Sequence, residues 1–123
     1  MPANELTVYI LTNDPRHTVL YIGVTNDLLR RLREHRHGLT RGFAWRYNCK
    51  KLVWCELFRE PRHAIECEKR LKGWTRAKKE ALIAQANPEW CDLGVKMFGE
   101  RLDDFTPEIK GRATGAFAAN RLP

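Results

Sequence analysis

No stretch of the 123 residues is apolar for long enough to cross a bilayer. The opening residues MPANELT also lack the apolar core of a signal peptide, so the expectation is a cytoplasmic protein with no membrane partner. Cysteine pairs are missing as well. Cys49, Cys55, Cys67 and Cys91 form no C-x-x-C pair and no zinc-ligand spacing. A disulfide framework does not suit a chain this apolar, and buried or half-buried free thiols are expected instead. Acidic residues are in short supply: 15 Asp and Glu stand against 22 Lys and Arg, a formal net charge of +7. Such a balance favours polyanionic partners, although a solvated basic surface carries the same charge.

A hydrophobic content of 43% suits a folded globule, and 123 residues suffice for one domain with its own core. Leu6 to Thr12 reads as a strand rich in β-branched and aromatic residues. The turn Asn13-Asp14-Pro15-Arg16-His17 leads to a second strand, Thr18 to Ile22, which Gly23 is expected to stop. An antiparallel pairing of the two brings Tyr9 and Tyr21 near one another, in a register the sequence leaves open. Thr25, Asn26 and Asp27 are each able to cap the helix that follows, from about Asp27 to His37, with Gly38 ending it. Leu28, Leu29 and Leu32 form its apolar stripe, and Arg31 and His35, four apart, share another. A strand-end tyrosine, a glycine and a helical arginine around one pocket outline a phosphate site.

Residues 39–51 interleave Phe43, Trp45 and Tyr47 with cations that include Arg41, Arg46, Lys50 and Lys51. A nucleic-acid groove needs both, cations for phosphates and ring faces for bases, while a loop packing its aromatics on the core is the alternative. Leu52 to Phe58 is a third strand. Pro61 opens a helix to about Lys72, with Ala64, Ile65 and Leu71 as its apolar positions. Glu68 falls on the edge of that face, as a salt-bridge partner or a metal ligand. Thr75 caps another helix, Arg76 to about Ala86, which Asn87-Pro88 ends. The last segment, 94–123, shows no sustained period and is expected to be a tail. With five cations and four acids it is nearly neutral, so the basic character belongs to residues 1–93.

Val8-Tyr9 upstream, Tyr21-Ile22-Gly23, and Arg31 ten residues past Tyr21 resemble the GIY-YIG nuclease superfamily, in particular its small bacterial stand-alone members. The pattern YIG-x-T-x-D-L-x-x-R-x-x-x-H is intact from Tyr21 to His35, whereas Thr7 stands where the family name has glycine. The resemblance covers roughly residues 6–93. It implies an α/β domain with a three-stranded, mainly antiparallel sheet flanked by helices in the order β-β-α-β-α-α. It also implies a divalent-metal-dependent endonuclease that hydrolyses phosphodiester bonds in DNA, in repair or the processing of structured DNA.

In that likeness, Arg31 contacts the scissile phosphate, where a guanidinium fork is better than an ammonium. Tyr9, and secondarily Tyr21, approach the attacking water. A phenol is a poor base at its usual pKa of about 10, so this role needs nearby positive charge. His35 orients water or phosphate. Glu68, in the run Glu68-Lys69-Arg70-Leu71-Lys72, resembles the single glutamate by which the superfamily holds one Mg²⁺ or Mn²⁺, an ion that keeps most of its waters; Glu66 is the rival. Gly23, Thr25, Arg41, Arg46, Lys50, Lys51 and Asn87 are the expected substrate-binding residues. Two other classes compete: a nucleic-acid-binding module of the same fold with weak or lost catalysis, and a protein-interaction domain.

Overall fold

The computed structural model describes residues 4–39 and 42–104. The β-branched and aromatic run of the first strand forms β1, Leu6–Asn13, and its partner is β2, Leu20–Thr25. They pair antiparallel with Tyr9 opposite Gly23 and Leu11 opposite Tyr21. Gly23 therefore does not stop β2, which runs on to Thr25. Helix α1 spans Leu28–Arg36 and a single-turn helix α2 spans Phe43–Arg46. The third strand, β3 at Cys49–Phe58, starts three residues earlier than expected and pairs antiparallel with β1, giving the sheet order β2-β1-β3. Pro61–Lys72 forms α3, Arg76–Ala86 forms α4, Leu93–Phe98 forms α5, and Gly99–Asp103 is a 3-10 turn. The expected α/β class and the order of its strands and long helices hold.

The sheet separates two apolar layers, because successive strand side chains point to opposite faces. Val8, Ile10 and Ile22 pack with Ala64, Cys67 and Leu71 of α3 and Ile83 of α4. Tyr9 and Leu11 pack on the other face with Leu32 of α1, Ala44 of α2 and Leu102. Ile65, expected inward, is 42% exposed. At about 100° per residue it points well away from the line through Ala64 and Leu71, and Cys67 takes the inward place.

Beyond residue 93 the described part of the chain continues to pack on the domain. Asp92 caps α5, Leu102 is 3% exposed, and Arg33 Nε of α1 donates to the Arg101 carbonyl at 2.7 Å. Residues 93–104 thus pack on the same face as Tyr9, and 105–123 lie outside the described residues. Scattered apolar residues without a period gave no sign of this, since one buried leucine on one turn suffices to anchor it. The four thiols are free, Cys49 and Cys67 buried and the other two half-buried. Burial pushes the Cys49 thiol up to about 11 and raises those of Cys55 and Cys67. None of the described helices is long and apolar enough to cross a membrane.

Candidate active site

Tyr9 is the centre of the α1 face of the sheet. Its ring crosses over the backbone of β2, and a Cβ on Gly23 would collide with the phenol oxygen and its ring carbon. The glycine is required there by this close approach. Tyr9 is fully buried, 6.3 Å between ring centres from both Tyr21 and His35, which are themselves 5.8 Å apart. The expected neighbourhood of the two tyrosines is present, with His35 as the third ring.

Arg31 reaches this trio from α1. Its Nη1 donates to the Tyr9 hydroxyl at 3.5 Å, and its Nε lies 3.3 Å from Oε1 of Glu34. Burial holds the Tyr9 phenol well above its usual range, and the neighbouring guanidinium opposes that without cancelling it. Glu34 is the residue that sequence reasoning passed over. Its carboxylate is 4% exposed and also lies 3.5 Å from Arg30. The signal was there: acid and arginines spaced three and four apart on a helix share a face.

The site opens outward through rings. Phe43 stacks on Tyr21 at 6.3 Å with planes 21° apart, and Tyr47 follows at 4.7 Å from Phe43. Phe43, Trp45 and Tyr47 are 52%, 51% and 43% exposed, so they face solvent instead of filling the core. With Arg46 and Gly42 they line a cleft of about 380 Å³. Gly42 precedes α2 at φ 95°, a conformation that side-chain-bearing residues avoid.

Other expected binding residues are placed elsewhere. Lys50 and Lys51 line a separate pocket with Asp14, Arg36 and Asp92, and Lys51, mostly buried, is 3.3 Å from Asp14 and 3.0 Å from His17. Arg41 lies outside the described residues. The Thr25 hydroxyl accepts from the Asp27 N–H at 3.0 Å and donates to the Asp27 carbonyl, so it shapes the turn while Asp27 caps α1. Asn87 is buried. Its amide donates to the Val53 and Cys91 carbonyls at 3.1 and 2.9 Å, and its oxygen accepts from the Cys91 N–H at 3.0 Å. In the structure the polar groups of both residues are spent on backbone. Thr7 is an ordinary strand residue, opposite Thr25 and Leu57, with no conformation that demands glycine.

Glu68 lies on α3, the layer of the sheet opposite Arg31 and Tyr9. Its side chain is 18% exposed, and its ion pair among the described residues is with Lys72 at 2.9 Å. No group of three or more His, Cys, Asp or Glu capable of holding a metal occurs among the described residues. A lone, partly buried carboxylate fits a hard cation that keeps its waters and takes further oxygens from a substrate. Glu66, about 200° around the helix from Ala64, is exposed.

The profile of the GIY-YIG catalytic domain matches residues 5–81. A UPF0213 protein of Bacillus pumilus is 37% identical over 70 residues, 57% of this chain and 71% of that protein. One of Bacillus velezensis is 36% identical over 86 residues, 69% of this chain and 84% of that protein. The solution NMR structure of a UPF0213 protein of Bacillus halodurans aligns over 74% of this chain and 95% of its own, at 27% identity and a TM-score of 0.48. With a family match across most of its length, over strands and helices that seat Tyr9, Tyr21, Gly23 and Arg31 together, this chain belongs to the GIY-YIG family.

Proposed function

We propose that this protein is a divalent-metal-dependent endonuclease hydrolysing phosphodiester bonds in DNA. The observation that carries the reading is the Arg31 guanidinium, 3.5 Å from the Tyr9 hydroxyl and 18% exposed, beneath a rim of solvent-facing rings. In the reaction, water adds to phosphorus, the ester P–O bond breaks, and the departing oxygen takes a proton. Arg31 holds the phosphate and offsets the charge that grows on its oxygens. Tyr9, a neutral phenol in its buried seat, accepts the Arg31 hydrogen bond and orients the guanidinium; to take the water's proton it would first release its own to solvent under added positive charge and then act as the phenolate. Tyr21, half-buried beside it, and His35 line the approach. Phe43, Trp45 and Tyr47 offer ring faces to bases, with Arg46 among them for a phosphate. Glu68 would hold the Mg²⁺ or Mn²⁺, an ion that supplies Lewis-acid stabilisation, and because α3 lies on the other layer of the sheet that ion would meet the substrate apart from the Tyr9–Arg31 contact.

One observation favours a second reading, a nucleic-acid-binding module with little cleavage: the complete burial of Tyr9, which raises its pKa. The two are separated by incubating the purified protein with labelled linear, nicked and branched DNAs, with and without Mn²⁺. Metal-dependent cutting that is lost in Glu68→Ala and kept in Glu66→Ala is the expected result. The Glu68 variant keeps or gains DNA affinity, because a negative charge leaves a polyanion site. Salt-sensitive binding without cutting, under every metal and on every DNA, selects the binding module. Cutting that survives in Glu68→Ala and disappears in Glu66→Ala moves the metal to the other carboxylate.

A further inference from the structure

We infer that Glu34 is a positioning residue for the Arg31 guanidinium, a buried acid that fixes which edge of the arginine meets the phosphate. The inference rests on the nuclease reading and adds to it a residue that the strand and helix signature does not include. Burial makes Glu34 unusual. A carboxylate 4% exposed, in a site built to accept a polyanion, repels the substrate and is costly to desolvate unless paired. Here it is paired twice, by Arg30 Nε at 3.5 Å and Arg31 Nε at 3.3 Å.

The two arginines differ in what they do next. Arg30 is 47% exposed and open to solvent, whereas Arg31 is 18% exposed and continues to the Tyr9 hydroxyl through Nη1. Arg31 is therefore constrained at two points, Nε by the charge of the carboxylate at 3.3 Å, without a hydrogen bond between them, and Nη1 by its bond to the phenol. Nη2, the third nitrogen of the same plane, is the donor we assign to a phosphate oxygen. A guanidinium is planar, so fixing two of its nitrogens fixes the direction of the third. Without the carboxylate the side chain regains rotamers and can meet phosphate through its Nε–Nη edge, which binds well and leaves Tyr9 behind. Glu34 thus sacrifices ground-state attraction for orientation, and orientation is what the transition state rewards.

The test compares wild type with Glu34→Gln, which keeps shape and removes charge, and with Arg30→Ala, which removes the solvent-side partner. Melting curves confirm folding. Glu34→Gln is expected to lower kcat on the order of ten- to a hundredfold, the usual cost of losing a group that orients a working side chain. Its KM for DNA stays level or falls, and Glu34→Asp restores part of kcat. Arg30→Ala keeps kcat. A second readout does not need turnover: the ¹⁵Nε–H resonance of Arg31, identified by its loss in Arg31→Lys, shifts and exchanges faster in Glu34→Gln. A Glu34→Gln protein as active as an active wild type overturns this inference alone, and so does an Arg31 resonance that does not move. Wild type inert on every DNA overturns the nuclease reading, and the positioning role with it.

Discussion

Tyr9 and Gly23 show how one residue's size sets another's identity. The two are cross-strand partners, and the tyrosine ring occupies the space that any side chain at 23 would need. Gly23→Ala should therefore destabilise the fold by about 1–3 kcal/mol, the cost of overpacking a filled site. It should also displace the Tyr9 ring, and a lowered melting temperature with an altered tyrosine near-UV signal is the check. Arg31 and Tyr9 separate binding from chemistry. Arg31→Ala should lose turnover on the order of a hundred- to a thousandfold, since one charge stabiliser is removed, and should weaken DNA binding as well. Tyr9→Phe removes only a hydroxyl whose bond to Arg31 is long, at 3.5 Å, so folding should change by under about 1 kcal/mol. Its turnover should still fall, as rates and melts on the two variants will show. Unchanged rates in Tyr9→Phe would assign the proton transfer to Tyr21 or to solvent.

Among the elements, α1 and α3 were legible in their bounds, and α2, α5 and the 3-10 turn were not. Asp27 as cap, Leu32 inward and a positive φ at Gly38 are all local signals, and the helix has one face to bury. In α3 the inward choice of Ile65 failed because at about 100° per residue it leaves the Ala64–Leu71 line, and Cys67 joins the buried cluster in its place. Asn87 is the clearest case of an element-scale role hidden from composition. A helix-ending asparagine is common, but its bonds to Val53 and Cys91 tie α4's end to β3, and only the fold brings those carbonyls near. The 3-10 turn beyond α5 makes the same point through Leu102, which packs against the Tyr9 layer. Leu102→Ala should cost about 2–5 kcal/mol, the usual range for truncating a buried leucine. Equilibrium denaturation reads it, and a loss under 0.5 kcal/mol (about the scale of a surface change) would return residues 99–103 to a dispensable tail.

Across the whole molecule the excess of positive charge predicts steep salt dependence of DNA binding, but the fold distributes the cations unequally. Arg46 sits in the open among the rings, whereas Lys51 is mostly buried and occupied by Asp14 and His17. Arg46→Ala should therefore lower the slope of log affinity against log salt by about one, and Lys51→Ala should change it little. Equal effects from the two would mean that DNA follows the strand end as closely as the aromatic rim. The sequence alone determined the layered α/β plan, because period-2 and period-3.6 runs, caps and turns are local. It also placed Tyr21, Gly23, Arg31 and His35 together, since one strand, one turn and one helix fix their spacing. Tertiary structure decided what depends on partners far along the chain. It buried Tyr9 against Arg31, set α3 with Glu68 on the opposite layer, and turned Asn87 to the Val53 carbonyl. Each of those outcomes turns on which layer a side chain enters and whether its polar atoms are satisfied there, and a linear pattern carries neither.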